Sequence, residues 1–182
     1  PKCKEDNVVH VEIMFDPQTH TERGIEFGVF MQGFKRAIQQ AQQEWGQSCL
    51  LIMSFLRHLT EKSAIETLRA ATPYLHDITA VGLDSGELGN PPEKFTQVFS
   101  MAKELGLKRV AHAGEEGPAD YIWGALKALD VQRIDHGVRS VEDPDLIEFL
   151  IRSQHPLTAC PLSNTKLKVF KHMQEHNVLQ LI

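Results

Sequence analysis

The sequence predicts an α/β fold, a (β/α)8 barrel of which six units are found, and three observations predict it. Short runs rich in β-branched and apolar residues alternate with segments of helical period, as βα units around a parallel sheet do. The centres of those runs recur at roughly 24 to 41 residues, a spacing within what a barrel of about 250 residues requires, although a doubly wound sheet shares the alternation. Polar residues follow the runs rather than precede them, and the strand ends they mark form the face of a barrel that carries chemistry.

The elements follow in chain order. A strand is predicted over residues 8–15 (VVHVEIMF), entered directly from the first residues without lead-in structure. The absence of an initiator methionine there makes the chain read as an excerpt of a longer protein. Phe27, Phe30, Met31, Phe34, Ile38 and Ala41 fall at helical spacing and give one apolar face to lay on a sheet. A second strand spans 50–56, with a helix after Thr60, and a third spans 78–83. Pro91 and Pro92 precede a helix whose inner face is Phe95, Val98, Phe99, Ala102 and Leu105, with Gly106 as its stop. A fourth strand over 109–113 leads to a helix over 119–129, with Ile122, Ala125, Leu126 and Leu129 inward. After the fifth strand, 133–135, Asp143 suits an N-cap with Pro144 at the first helical position. The sixth strand, 157–160, includes Cys160 as a packed residue, and a last helix is expected after Lys168.

A composition of 42% hydrophobic and 24% charged residues is that of a soluble globular domain, which excludes disordered and fibrous classes. No apolar run approaches the roughly 20 residues of a membrane span, and the N-terminus lacks a signal-peptide core, so a cytoplasmic protein is expected. Cys3, Cys49 and Cys160 are odd in number and far apart, arguing for neither a disulfide framework nor a thiolate zinc site. The charge of -5 is spread along the chain without a basic stripe, so neither nucleic acid nor a membrane is an expected partner.

Asp16, Arg57-His58, Asp84, Glu115 and His136 stand at or just past successive strands. His112 ends a strand buried on both sides, where an unpaired imidazole costs free energy; it is either a metal ligand or a hydrogen-bonded core histidine. Glu115 follows past Ala113 and Gly114, small residues that let the backbone turn tightly. Screened from water, its carboxyl would hold a proton near neutral pH and act as a general acid. His136 ends the next strand, within reach of the same pocket.

HAGEEGP at His112 to Pro118, RIDHG at Arg133 to Gly137 and CPLSNTKL at Cys160 to Leu167 resemble, in order and spacing, the adenosine/adenine deaminase family of metal-dependent hydrolase barrels. The run FDPQTHTERG at Phe15 to Gly24 and CPLSNTKL are most like its adenine deaminase branch. The resemblance implies a (β/α)8 barrel of the metal-dependent hydrolase type and zinc-dependent hydrolysis of a purine base, adenine, to hypoxanthine and ammonia in purine salvage. It implies His112 as a zinc ligand, Glu115 as the acid protonating the ring nitrogen beside the reacting carbon, and His136 as the residue that orients and helps deprotonate the attacking water. Asp84 and Gly114 are implied to support the site or bind substrate; Ser163 and Asn164 are expected near the pocket without an assigned role.

The chain departs from the family pattern in lacking the His-x-His pair of the first barrel strand and the Asp-Asp pair of the eighth, which the resemblance implies as the other zinc ligands; one zinc per full-length subunit is expected, with the site incomplete in this chain and the excerpt alone inactive. Its six strands are therefore expected to be the second through seventh, in a single partial barrel domain over residues 1–182. The runner-up readings are a deaminase of adenosine or an N6-substituted adenine, and a non-catalytic incomplete barrel serving as an interaction module.

Overall fold

The computed structural model describes residues 2–182. In chain order its principal elements are α1 Lys2–Glu5, β1 His10–Phe15, α2 Pro17–Thr21, α3 Phe27–Trp45, β2 Ser48–Leu56, α4 Glu61–Ala70, β3 Ala80–Asp84, α5 Thr96–Glu104, β4 Lys108–Ala113, α6 Ala119–Ala128, β5 Arg133–His136, α7 Pro144–Ser153, β6 Leu157–Thr158 and α8 Pro161–Lys166. The strands form one sheet in sequence order, and every neighbouring pair is parallel. Parallel neighbours require a crossover, and the helices between strands supply it.

The choice between a barrel and an open sheet is decided by contacts across the inner face. In a flat sheet β1 and β5 would lie four strand spacings, about 19 Å, apart. Instead Arg133 on β5 forms an ion pair with Glu12 on β1, and His112 Nε2 on β4 lies 3.4 Å from Met14 Sδ on β1. The sheet is therefore curled like a partial barrel, with Met14, Ile52, Ala80 and Val110 from four consecutive strands packed inside it. The larger core lies outside the sheet, where Met53, Phe55, Val81, Leu83 and Ala111 meet helix residues such as Phe99, Ile122 and Leu146.

Local chemistry sets the helix ends. Thr60 Oγ1 accepts from the Ser63 amide at 3.3 Å, and Asp143 Oδ1 accepts from the amides of Asp145 and Leu146 with Pro144 at the first helical position. Gly106 stops α5 at φ +78°, a conformation open to glycine. No helix among the described residues is long and apolar enough to cross a membrane.

Several expectations are corrected. The chain does not enter its first strand directly: α1, fastened by a Lys2–Asp6 hydrogen bond of 3.1 Å, and a turn precede it, so β1 begins at His10 rather than at residue 8. Residues 17–21 are helical, since Asp16 precedes Pro17 in its favoured first position. The last strand stops at Thr158 rather than 160: Cys160 precedes Pro161, which opens α8, so Cys160 is a half-buried helix-entry residue and not a packed strand residue. No long helix follows Lys168, whose own φ is +62°; residues 173–175 and 177–180 form only short 3-10 turns.

Candidate active site

The parallel register brings the chemistry to one end of the sheet. Ala113 aligns with His136 and Leu56 with Asp84, so residues at and beyond these positions share the C-terminal face. There His112, Glu115 and His136 converge, each offering a ligand atom within 4.8 Å of the others. The rings of His112 and His136 meet edge to face at 4.8 Å, and His136 Nδ1 lies 3.3 Å from Glu115 Oε1. The three residues that the sequence singled out thus stand together.

Their placement depends on unusual backbone. His136 has φ +72° and is followed by Gly137 at +69°. A left-handed histidine costs on the order of 1–2 kcal/mol, and such strain is held only where the surroundings determine it. Here the Gly137 amide donates to the Ala113 carbonyl and the Arg139 amide to the Gly114 carbonyl, each at 3.0 Å, binding the two strand ends together. Gly114 itself has φ +67°, and a Cβ there would fall 2.4 Å from Ile122 Cδ1. Its lack of a side chain lets the loop carrying Glu115 close onto α6.

Two buried residues that sequence reasoning did not place in the site hold that loop. The carboxylate of Glu87 accepts the backbone N–H groups of Gly114, Glu115, Glu116 and Gly117 at 2.7–3.0 Å. Arg57 is fully buried; its Nη1 donates to the His112 carbonyl at 2.7 Å and its Nε to the Asn90 carbonyl at 2.9 Å. In the sequence Arg57 stands out only as one of several polar residues past a strand, and nothing there marks Glu87. Asn164, expected near the pocket without a role, acquires one, and His176 is a further residue that the sequence did not point to. Asn164, fully buried, donates from Nδ2 to Glu115 Oε1 at 2.9 Å, and the same nitrogen lies 3.2 Å from His136 Nδ1.

The electrostatics follow from burial. Glu115 is pushed up to about 7, first by desolvation and then by the negative charges of Glu87 and Glu116. His112 and His136 are both pushed down to about 4, chiefly by burial, with Arg57 opposing a charge on the first and His112 on the second. Both imidazoles are neutral at pH 7 and their lone pairs can serve a metal or a proton. Asp84 ends β3 nearby, pushed up to about 8 by burial and then by Asp16 beside it; an oxygen of each is buried without a partner among the described residues.

The donor set suits a cation that accepts imidazole and carboxylate ligands. The neutral His112 has only the weak acceptor Met14 Sδ against Nε2, so this nitrogen is not committed to a strong protein hydrogen bond. Such an arrangement combines a neutral ligand histidine, a carboxyl that changes protonation near pH 7, and a second imidazole touching that carboxyl.

The chain is similar to known proteins along its whole length. The chain is 59% identical to an adenine deaminase of Hahella chejuensis and 58% identical to one of Acinetobacter baylyi, covering 100% of this chain and 54% of each relative. It therefore spans about half the length of the curated relatives it matches. Among solved structures, the adenine deaminase of Arthrobacter aurescens superposes with a TM-score of 0.96 at 44% identity, over 99% of this chain and 55% of that one. An amidohydrolase from Burkholderia ambifaria, solved with bound Zn, superposes with a TM-score of 0.89 at 25% identity, over 96% and 50%. Both superpositions extend the barrel fold across the whole curled sheet. A family profile described as adenosine deaminase matches residues 2–182, and the chain belongs to that family.

Proposed function

We propose that the full-length protein hydrolyses adenine to hypoxanthine and ammonia with the aid of zinc, as a step of purine salvage, and that the six strands are the second through seventh of its eight-stranded barrel. The observation that carries this reading is Glu115. Its carboxyl holds a proton up to about pH 7, 3.3 Å from a neutral histidine and within 4.8 Å of a second. A deaminase must protonate a weakly basic ring nitrogen while water attacks the adjacent carbon, which calls for an acid still protonated near neutrality.

In this reading His112 is a zinc ligand. Zinc, when bound, supplies the Lewis acidity that makes water nucleophilic near neutral pH. Glu115 donates its proton to the ring nitrogen beside the amino-bearing carbon. His136 faces the attacking water and orients it. Addition of the water's oxygen at that carbon gives a tetrahedral intermediate; passage of its hydroxyl proton to the amino group breaks the C–N bond, releasing ammonia and leaving hypoxanthine with the proton from Glu115 on its ring nitrogen. Gly114 lets the loop approach the substrate closely, and Asp84 supports the site from the end of β3.

The adenine preference rests on the names of the relatives at 58–59% identity and of the solved structure at 44%. Turnover of adenine, adenosine and N6-methyladenine by the full-length protein tests it. Adenine is expected to show the highest kcat/KM; a higher value for adenosine or N6-methyladenine would overturn the choice of substrate.

A further inference from the structure

The hydrogen bonds behind Glu115 and His136 form a directional chain, and the direction can be read from one backbone amide. The Val178 N–H, a donor only, gives its proton to His176 Nδ1 at 3.0 Å. In the neutral imidazole Nε2 then carries the hydrogen. That Nε2 lies 3.0 Å from Asn164 Oδ1, so the oxygen of the amide must face His176, and its NH2 must face the other way. Amide orientation is thus decided by the network rather than by atom naming.

The NH2 group has two hydrogens and two neighbours, Glu115 Oε1 at 2.9 Å and His136 Nδ1 at 3.2 Å. A donor aimed at His136 Nδ1 requires a lone pair there. The hydrogen of the neutral ring is then on Nε2, which has no hydrogen-bond partner among the described residues. The chain is well enclosed. Asn164 is fully buried, its amide donates to the Cys160 carbonyl at 2.9 Å, and its own carbonyl accepts the Val169 amide at 2.9 Å. His176 is 7% exposed and lies against the ring of Phe170 at 4.5 Å.

We propose that Asn164, oriented by His176, is a positioning residue that fixes His136 as its Nε2–H tautomer while holding Glu115 in place. His136 therefore offers the pocket a hydrogen-bond donor. This inference rests on the proposed deaminase reading for its consequence: His136 orients the attacking water through the water's oxygen, and the part of a proton acceptor that the sequence resemblance gave it falls away. Partners of this kind, which set the ring orientation and tautomer of a site histidine, typically contribute about 10- to 100-fold to activity.

The test reads the tautomer directly, independently of turnover. Two-bond 1H–15N correlation spectra of the zinc-loaded, full-length protein with 15N-labelled histidine, with His136 assigned by loss of its signals in His136→Gln, should show Nδ1 as an unprotonated nitrogen and Nε2 as a protonated one. Asn164→Asp replaces the donor by an acceptor and should reverse that pattern, lowering kcat for adenine about 10- to 100-fold with little change in KM. His176→Phe removes the partner that orients the amide and should give a mixture of the two tautomers. A wild-type spectrum with the hydrogen on Nδ1 would overturn the proposal, as would an unchanged tautomer in Asn164→Asp. A protein that shows the expected tautomer but does not deaminate adenine would remove the proposed activity and leave the relay standing.

Discussion

The ends of β4 and β1 deliver polar side chains to the same face, but they are built differently. Beyond β4, four consecutive amides are accepted by Glu87, the His112 carbonyl is held by Arg57, and Glu115 is held by Asn164. Beyond β1, an oxygen of Asp16 is buried with no partner among the described residues, and an oxygen of the adjacent Asp84 is in the same condition. The approach to β1 is open as well: Val9 is 75% exposed and Ile13 42%. The difference separates two uses of buried polarity. Where donors and acceptors are paired densely, geometry is fixed and a side chain can be aimed, even though Arg57 Nη2 has no partner among the described residues; where two carboxyls crowd together, the protonation state responds to pH instead.

The largest effect is expected where the anchoring is densest. Glu87→Ala removes the acceptor of four amides and the carboxylate 4.0 Å from the buried Arg57 guanidinium. Breaking such a buried pair costs about 3–5 kcal/mol, to be read as a lower urea midpoint at unchanged m-value. A loss below about 1 kcal/mol would show that the loop does not depend on this carboxylate.

At the other end the effect is smaller and takes the form of a pH slope. Asp84 is raised from its ordinary 3.8 to about 8, by burial first and by Asp16 second. The folded state therefore keeps a proton that the unfolded state has already released, and stability declines as pH rises across that window, the contribution being complete below the ordinary carboxyl value. Asp16→Asn removes the second cause and leaves the first, so the slope of unfolding free energy against pH should become shallower without vanishing. An equal slope in the two proteins would contradict the pairing of these acids.

How much of this was legible in the sequence depended on the range of each interaction. The four central strands stood out because both faces of a central parallel strand are apolar, and crossover helices announced themselves through Thr60, Asp143, Pro144 and Gly106. The edge strand β6 was overextended because hydrophobicity does not reveal where an outermost strand stops pairing; pairing ends with Thr158 against Asp135, and Pro161 opens α8 three residues later. His112, Glu115 and His136 were visible because strand ends are marked locally by apolar runs. The roles of Glu87, Asn164 and His176 were not, although Asn164 was expected near the pocket. Their partners lie 27–30 residues away for Glu87, and 49 and 12 residues away for Asn164, and several are backbone amides that carry no sequence signature. A positive φ at His136 was equally hidden, since only the bonds from Gly137 and Arg139 to the neighbouring strand end show what holds it.

The central claim is that Glu115 is the acid of a metal-dependent purine deaminase, and Glu115→Gln in the full-length protein tests it most directly. Glutamine keeps the shape and can still meet Asn164, but it cannot give up a proton. The account predicts retained zinc content and an unchanged far-ultraviolet spectrum together with a fall of about 100-fold or more in kcat for adenine. Adenine turnover at the parental rate, in a variant that keeps its metal, would contradict it.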